Sequence, residues 1–261
     1  MGPHFLKNRH LLLTGASSGI GRDLALQIAP HGAKLLIIAR NEQKLNQLTA
    51  EITSLGSECT PLVGDITDPA NRAQAIAHIQ QHWQTLDLLI NNAGISAHGR
   101  FEANDEQTLR RIMEVNFFAC TELTRHAIPL LEAGQNPMIV NVSSILGHRG
   151  IPHNSEYCAS KFALHGWSEA IRPELTRKKI DLLLVSPGTT ETEFFDHLIA
   201  KQDNSPWPPQ KGIPSAKVAE QILHAIQHRR HEIYPNWRGR ALVLLNRFCP
   251  RLVDAIMTRY G

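Results

Sequence analysis

Short apolar runs alternate with amphipathic stretches along most of this chain. The runs have strand length, and apolar residues recur at helical spacing in the stretches between them. This alternation predicts a parallel sheet covered by helices on both faces. Seven strands are predicted, at His10–Thr14, Lys34–Ala39, Thr60–Val63, Leu86–Asn91, Met138–Val142, Ile180–Val185 and the weaker run His231–Tyr234. Six helices are predicted between them, at Gly19–His31, Glu42–Leu55, Pro69–Trp83, Glu106–Leu131, Glu156–Thr176 and Ser215–Gln227.

These elements predict a doubly wound α/β fold. The chain has 261 residues, 42% of them hydrophobic, and no linker rich in Gly, Ser or Pro at its midpoint. We therefore expect one dinucleotide-binding and catalytic domain over residues 1–261. Within it, the Pro-dense connection 189–214 is predicted to be a substrate lid. Residues 236–261 form a basic amphipathic C-terminal segment.

Composition argues against several classes of protein. The net charge of +3 and the lack of a dense Lys/Arg run argue against nucleic-acid binding. The four cysteines show no C-x-x-C pairing, which indicates free thiols in a reducing compartment. There is no signal-peptide pattern and no run of eighteen apolar residues. A soluble cytoplasmic protein is expected.

The segment Thr14–Gly21 reads T-G-A-S-S-G-I-G, follows the first strand and opens the first helix. A phosphate-binding loop requires this context, because amide groups at a helix start attract anions. Gly15 permits the tight turn, Gly19 removes a side chain where a pyrophosphate approaches, and Gly21 allows close packing. A dinucleotide site is predicted here.

A second pattern indicates catalysis. Tyr157 and Lys161 lie four residues apart, so on a helix both polar ends address the same small molecule. Ser144 lies thirteen residues upstream, at the end of the fifth predicted strand. Because a tyrosine has a pKa of about 10, a neighbouring cation is needed to lower that pKa and make it an effective acid near neutrality. Lys161 is the predicted cation.

Six motifs in this order resemble the short-chain dehydrogenase/reductase family. They are T-G-x-x-x-G-x-G at 14–21, N-N-A-G at 91–94, Asn116, Ser144, the Tyr157/Lys161 pair and Ser186–Pro187–Gly188. The resemblance covers roughly Leu11 to Tyr234. It implies a Rossmann-type domain that binds NAD(H) or NADP(H), interconverts alcohols and carbonyls, and pairs subunits through its two long helices as a homodimer or homotetramer.

The resemblance also implies roles for individual residues. Tyr157 would be the proton donor, Ser144 would hold the substrate oxygen, and Lys161 would also bind the nicotinamide ribose. Asn116 would hold a water for proton relay. The implied cofactor contacts are Gly15, Ser17, Ser18, Gly19, Ile20, Gly21, Arg40, Asp65, Ile66, Asn92, Ala93, Gly94, Tyr157, Lys161, Pro187, Gly188, Thr190 and Thr192. Thr190 replaces the usual branched apolar residue, and Asp68 is read as a helix cap.

The complete catalytic set favours an enzyme over the alternative, a non-catalytic NADP(H)-binding regulatory protein. The loop spacing also disfavours an epimerase or dehydratase of the sugar-nucleotide branch. Arg40 ends the second strand, where NAD-dependent proteins place an acid, so it favours NADP(H) over NAD(H) by pairing with a 2′-phosphate. Against this, Ser18 stands where NADP-dependent relatives often carry a basic residue, and Arg40 has the alternative of being an ordinary solvated arginine.

The fourteen histidines do not predict a metal site. The pairs His78/His82 and His224/His228 have helical spacing, but neither carries the glutamate and third ligand of a zinc motif. His98, His148 and His153 border the expected substrate pocket. We expect loop positions for these three rather than ligands.

The C-terminal segment leaves three alternatives. From Arg229 onward the sequence contains seven arginines and only two acids, Glu232 and Asp254. An apolar stripe at helical spacing runs through the same segment and is interrupted by Pro250. Such a segment can cover the substrate pocket, pair subunits, or make peripheral contact with a membrane. The membrane alternative implies a lipophilic substrate.

Overall fold

The computed structural model describes residues 5–195, 198–200 and 211–260, with the side chain of residue 195 left out. Seven parallel strands form one sheet in the order β3-β2-β1-β4-β5-β6-β9, and β7 pairs with β8 in a separate two-stranded ladder. In chain order the strands are β1 His10–Thr14, β2 Lys34–Ala39, β3 Glu58–Val63, β4 Leu88–Asn91, β5 Met138–Val142, β6 Asp181–Val185, β7 Thr190–Glu191, β8 Ile213–Pro214 and β9 Glu232–Ile233.

Helices cover both faces of this sheet. They are α1 Gly19–Ile28, α2 Glu42–Ser54, α3 Pro69–His82, α4 Glu106–Met113, α5 Ala119–Glu132, α6 Ser155–Arg177, α7 Ser215–Gln227, α8 Trp237–Phe248 and α9 Pro250–Met257. Side chains alternate across each strand, so Leu11 and Leu13 enter one core with α1 and α7. Leu12 enters the other core with α3 and α5. The predicted doubly wound α/β fold is confirmed.

The strand order reverses between β1 and β4, which neighbour each other although β2 and β3 intervene in the chain. Ligands bind doubly wound sheets at such a reversal, outside the carboxyl ends of the strands. The loops that follow β1, β4, β5 and β6 all meet there.

One helix that was predicted to be continuous is interrupted. The predicted Glu106–Leu131 is three segments, because a π-helical turn at Glu114–Phe118 separates α4 from α5. In this turn the amide of Ala119 donates to the carbonyl of Glu114, five residues back. Such turns insert one residue and occur frequently at functional sites.

Four elements were not among those predicted, the short strands β7 and β8 and the helices α8 and α9. The remaining differences lie at the ends of elements. The first helix gives way after Ile28 to a 3₁₀ turn that contains Pro30. The fourth strand begins at Leu88 rather than Leu86, and the carboxylate of Asp87 just before it accepts hydrogen bonds from the amides of His10 and Gln135. Asp68 caps α3 as predicted, accepting from the amide of Ala70. In the described part of the chain, no helix is long and apolar enough to cross a membrane.

Candidate active site

A cavity of about 850 Å³ lies at the carboxyl ends of the strands. One end is formed by the glycine loop after β1 and by the residues that follow β2 and β3. The other end is formed by the loops after β5 and β6, the start of α6, and the two C-terminal helices. The cavity thus connects the predicted nucleotide site with the predicted catalytic residues.

Glycines in the first loop are required by close approach of the backbone. Gly15 and Gly19 have φ of +66° and +52°, in the left-handed region. A Cβ on Gly15 would lie 2.7 Å from the Cα of Ala93, and one on Gly21 would lie 2.4 Å from the carbonyl oxygen of Gly15. A Cβ on Gly19 would lie 3.0 Å from Cγ2 of Thr192. The loop is therefore a narrow cradle of backbone at the start of α1, which fits a pyrophosphate.

Asn92 fastens this loop to the end of β4. Its Nδ2 donates to the carbonyls of Thr14 and Gly15 at 3.1 and 3.0 Å. The hydroxyl of Thr14 accepts from the amides of Asn92 and Ala93 at 3.0 and 3.1 Å. The side chain of Asn92 thus binds the backbone of the first loop. Residues 92–94 line the cavity beside it.

Arg40 lies at the nucleotide end of the cavity with its side chain exposed. It forms no hydrogen bond or ion pair with any residue that the structure describes. Lys44 follows one helical turn later and pairs with Glu193 at 2.6 Å across the cavity mouth. Sequence reasoning missed Lys44, whose only signal is its spacing from Arg40.

Asp65 lines the same end and is already hydrogen-bonded. Its Oδ1 accepts from the amide and hydroxyl of Thr67, and its Oδ2 accepts from Arg111 at 2.6 Å. Burial alone would raise the pKa of Asp65, but these donors outweigh burial and lower it. The carboxylate is therefore held ionised and fixed in orientation, beside Ile66 and Gly64.

The predicted catalytic residues converge at the opposite end. Ser144 precedes a 3₁₀ turn at Ile145–Gly147, and its hydroxyl accepts from the amide of Leu146 at 3.1 Å. Tyr157, in the first turn of α6, lies beside this hydroxyl, which acts to lower the pKa of the phenol. Lys161 Nζ lies 5.6 Å from the centroid of the Tyr157 ring. Hydroxyl, phenol and ammonium thus line one wall of the cavity.

Burial controls the ionisation of this group. Burial raises the pKa of Tyr157, and the neighbouring Ser144 hydroxyl acts in the opposite direction without offsetting it. The expected lowering of that pKa by Lys161 is therefore not the dominant effect in the protein itself. Burial also lowers the pKa of Lys161 to about 8, because desolvation disfavours the ammonium.

Two predicted site residues do not line this cavity, Asn116 and Gly21. Asn116 lies in the π-turn, 1% exposed, and its Nδ2 donates at 2.9 Å to the carbonyl of Ile95 and the hydroxyl of Ser160. Its Oδ1 accepts from the amide of Ile95 at 2.9 Å. The side chain thus holds the backbone behind Gly94, where a Cβ would lie 3.4 Å from Asn116 Oδ1 and 3.7 Å from Lys161 Nζ. All the other predicted site residues line the cavity.

Apolar side chains form the catalytic end of the cavity around these polar groups, and sequence reasoning did not assign them to the site. They are Ile95, Ile145, Leu146, Ile151, Phe194, Leu242 and Met257. Phe194 packs against Tyr157 with ring centroids 5.8 Å apart. Leu242 and Met257 come from α8 and α9, so the only available signal was the apolar stripe of the C-terminal segment.

A second cluster lies beside the loop that carries Ser144. His148 Nε2 lies 3.0 Å from the hydroxyl of Ser186 and 3.0 Å from Oε1 of Glu232, and the ring of His165 stands perpendicular to it at 4.1 Å. One nitrogen of His148, one nitrogen of His165 and one carboxylate oxygen of Glu232, all atoms of types that can ligate a metal, lie within 4.8 Å of one another. Burial would raise the pKa of Glu232, but His148 and Tyr234 lower it overall. The cluster was missed because its members lie on separate elements.

The two helical histidine pairs and the three histidines expected near the pocket lie on helices and in loops respectively, and of the latter three only His98 lines the cavity. His78/His82 and His224/His228 are ring pairs on helices, with centroids 4.5 and 4.0 Å apart. His98 lines the cavity and stacks on His153 at 5.6 Å.

The sequence profile described as short chain dehydrogenase matches residues 9–203. The chain belongs to the short-chain dehydrogenase family. A 3-ketodihydrosphingosine reductase of Dictyostelium discoideum is 32% identical over 254 residues, covering 87% of this chain and 75% of that protein.

Solved structures of short-chain dehydrogenases share this fold. One from Sphingobium yanoikuyae, in complex with NADPH, is 26% identical with a TM-score of 0.79, covering 94% of this chain and 96% of that one. One from Burkholderia phymatum, in complex with NAD, is 23% identical with a TM-score of 0.84, covering 95% of both chains. The protein is thus an oxidoreductase of this family, and a nicotinamide cofactor fits its glycine cradle.

Proposed function

We propose that this short-chain dehydrogenase is an NADP(H)-dependent oxidoreductase that interconverts a carbonyl and a secondary alcohol. One observation carries the proposal: Ser144, Tyr157 and Lys161 converge at one end of a cavity whose other end is a glycine cradle. One cavity therefore reaches from the predicted phosphate site to the predicted position of the reacting carbon. A bound nicotinamide would supply or accept the hydride.

The residues of the chain handle the proton and the developing charge. In the reducing direction the hydroxyl of Tyr157 donates its proton to the carbonyl oxygen, and Ser144 donates a hydrogen bond to that oxygen. The ammonium of Lys161 stabilises the phenolate that remains. The raised pKa of Tyr157 keeps the phenol protonated at neutral pH, which is the form required for reduction. Asn116 fixes the backbone between β4 and the π-turn.

Arg40 supports the preference for NADP(H). Its exposed guanidinium lies at the nucleotide end of the cavity and makes no ion pair with a described residue. A planar guanidinium binds a phosphate with two parallel hydrogen bonds, so a 2′-phosphate would satisfy it. Lys44 lines the same end of the cavity, where its charge is balanced by Glu193. Neither residue offers the carboxylate that grips an unmodified ribose.

The substrate is proposed to be lipophilic. Seven apolar side chains surround the catalytic group, and apolar linings bind apolar ligands by excluding water. The Dictyostelium relative is named as a 3-ketodihydrosphingosine reductase, and a ketone of that type is lipophilic, in agreement with this apolar lining. Residues 189–214 are proposed as the lid of this pocket, although residues 196–197 and 201–210 of that stretch lie outside the described part of the chain.

Two further proposals concern the molecule as a whole. Phe118 and Phe162 are 48% and 45% exposed, on the π-turn and on α6, which supports a homodimer or homotetramer formed through the two long helical segments. All four cysteines are free, which supports a reducing compartment such as the cytoplasm.

The proposal is tested by following nicotinamide absorbance with purified protein, NADPH or NADP⁺, and a panel of ketones and secondary alcohols. The panel pairs each short water-miscible ketone with a long-chain homologue. We expect turnover with NADPH, with kcat/KM rising with chain length. Tight NADPH binding without turnover of any compound, in either direction, would favour the non-catalytic regulatory alternative.

A further inference from the structure

Helices α8 and α9 pack one side against the active site. Gly239 allows α8 to approach the catalytic loop, since a Cβ there would lie 2.7 Å from Cγ2 of Ile145. Val253 of α9 is fully buried, and Leu242 and Met257 line the cavity. Arg149 joins α9 to the loop after β5 through a 2.6 Å ion pair with Asp254. These two helices are therefore the outer wall of the proposed substrate pocket.

The opposite side of the same helices is apolar and exposed. The structure shows thirteen large hydrophobic side chains exposed in its described part, and six of them lie within residues 237–256. They are Trp237 at 74%, Leu244 at 45%, Leu245 at 38%, Phe248 at 76%, Leu252 at 53% and Ile256 at 37% exposure. Within α8 they recur at i, i+7, i+8 and i+11, and within α9 at i and i+4, so each helix presents one apolar stripe.

Positive charge surrounds these stripes. Five exposed arginines lie on the same segment, and none forms an ion pair with any residue in the described part of the chain. They are Arg238, Arg240, Arg247, Arg251 and Arg259. The single acid of the segment, Asp254, is already paired with Arg149. The guanidinium of Arg238 lies 5.7 Å from the ring of Trp237. We call these six apolar side chains and five arginines the C-terminal face.

We propose that the C-terminal face docks on an anionic lipid surface, and that the lipophilic substrate passes from the bilayer into the cavity behind it. Arginines meet lipid phosphates while leucines and aromatic rings enter the acyl boundary. Self-association through this face would bring five arginines of one subunit against five of another, which like-charge repulsion disfavours. The docking part stands on the C-terminal face alone, and the substrate part rests on the proposed function.

The docking part is tested by co-sedimentation of the full-length protein with vesicles of phosphatidylcholine, alone or mixed with phosphatidylglycerol. Two variants are compared: the double variant Trp237→Ser/Phe248→Ser, and Phe101→Ser as a matched control. Phe101 is 74% exposed and lies outside the C-terminal face. We expect binding to the anionic vesicles only, weakened by added salt. The double variant should lose at least about tenfold in partitioning, and the control should bind like the original protein.

Several results would overturn docking: binding to neither vesicle, equal binding by the original protein and the double variant, or an equal loss in the Phe101 control. A change in the sedimentation coefficient of the double variant, without vesicle binding by the original protein, would assign the face to subunit pairing instead. Unchanged NADPH affinity shows that the double variant is folded.

The substrate part has its own measurement. Turnover of a short water-miscible ketone is expected to be equal in the original protein and the double variant, since neither Trp237 nor Phe248 lines the cavity. Turnover of a long-chain ketone supplied in anionic vesicles should fall about tenfold in the variant, in step with partitioning. Vesicle binding with no turnover of any ketone would contradict the proposed function while leaving docking in place. Equal turnover of the vesicle-held ketone would contradict delivery from the bilayer.

Discussion

The side-chain nitrogen of Lys161 donates a hydrogen bond of 2.9 Å to the backbone carbonyl of Val142, the last residue of β5. This bond ties the second turn of α6 to the strand that Ser144 follows. It also directs the ammonium beneath the Tyr157 ring, 5.6 Å from its centroid. The position of the charge is therefore set by the sheet, and no carboxylate in the described part of the chain forms an ion pair with it.

The first prediction concerns pH. Burial lowers the pKa of Lys161 to about 8, against 10.5 in the unfolded chain. Below pH 8 the ammonium is charged, so kcat/KM for NADPH in carbonyl reduction should fall as pH rises through about 8. Between about pH 8 and 10.5 this lysine is protonated in the unfolded chain but not in the folded protein. Its contribution to the free energy of unfolding therefore rises with pH over that range.

The measurement is a pH profile of kcat/KM from pH 6 to 10. The variant Lys161→Arg provides the control, because a guanidinium stays charged over this range and should remove the alkaline fall, whatever its overall rate. A flat profile for the original protein would show that the charge of Lys161 does not limit the reaction.

The second prediction concerns the proton donor. Replacing Tyr157 with Phe removes the acid but keeps the ring that packs on Phe194. We expect kcat to fall by about three orders of magnitude while NADPH binding stays within a few fold. Steady-state rates and a fluorescence titration of NADPH check the two parts. Tyr260→Phe, outside the cavity, should keep full activity, and more than a tenth of the original rate in Tyr157→Phe would exclude Tyr157 as the donor.

The third prediction concerns cofactor choice. Replacing Arg40 with Asp puts a carboxylate where a 2′-phosphate is expected, so KM for NADP⁺ should rise at least about tenfold and KM for NAD⁺ should fall. The exposed Arg177 at the end of α6 does not line the cavity, and Arg177→Asp makes the same charge change there. An identical effect of both substitutions would mean that overall charge, not Arg40, sets the preference.

The fourth prediction concerns subunit pairing. Phe118 and Phe162 are nearly half exposed, and Phe118 lies on the π-turn against which α6 packs. The double variant Phe118→Asp/Phe162→Asp should sediment as a monomer at micromolar concentration, because buried unpaired carboxylates oppose association. Phe101→Asp should leave the oligomer intact. A monomer already present in the original protein would refute pairing altogether.

Local patterns of this chain were sufficient for its sheet, and the resemblance to the short-chain dehydrogenase/reductase family supplied most of the cavity lining. Apolar runs marked strands that are buried on both faces, and the spacing of Gly15, Gly19 and Gly21 marked the cradle. The motif order also assigned Ser144 and Lys161 to one site. The strands and the cradle are encoded by residues close together in the sequence, whereas the assignment of the catalytic set rests on the order of motifs along the chain.

The features that were missed depend on contacts between distant segments. The cluster of His148, His165 and Glu232 joins a loop, a helix and an edge strand, and no spacing in the sequence indicates it. The π-turn at Asn116 depends on hydrogen bonds to Ile95 and Ser160. The pKa of Tyr157 was expected to be lowered by a neighbouring cation, but burial, which follows from the packing of the whole domain, has the opposite and larger effect.

The short ladder between β7 and β8 has a consequence for how this enzyme can diversify. Thr190 pairs with Ile213 and Glu191 with Pro214. Gly212 allows this contact, since a Cβ there would lie 2.8 Å from the amide nitrogen of Glu191. The ladder thus holds the two ends of residues 192–212 together. The entropic cost of closing a loop rises by only about 0.6 kcal/mol for each doubling of its length. Descendants of the gene can therefore vary the length and sequence of this connection, provided that Thr192 and Phe194, which line the cavity, are kept.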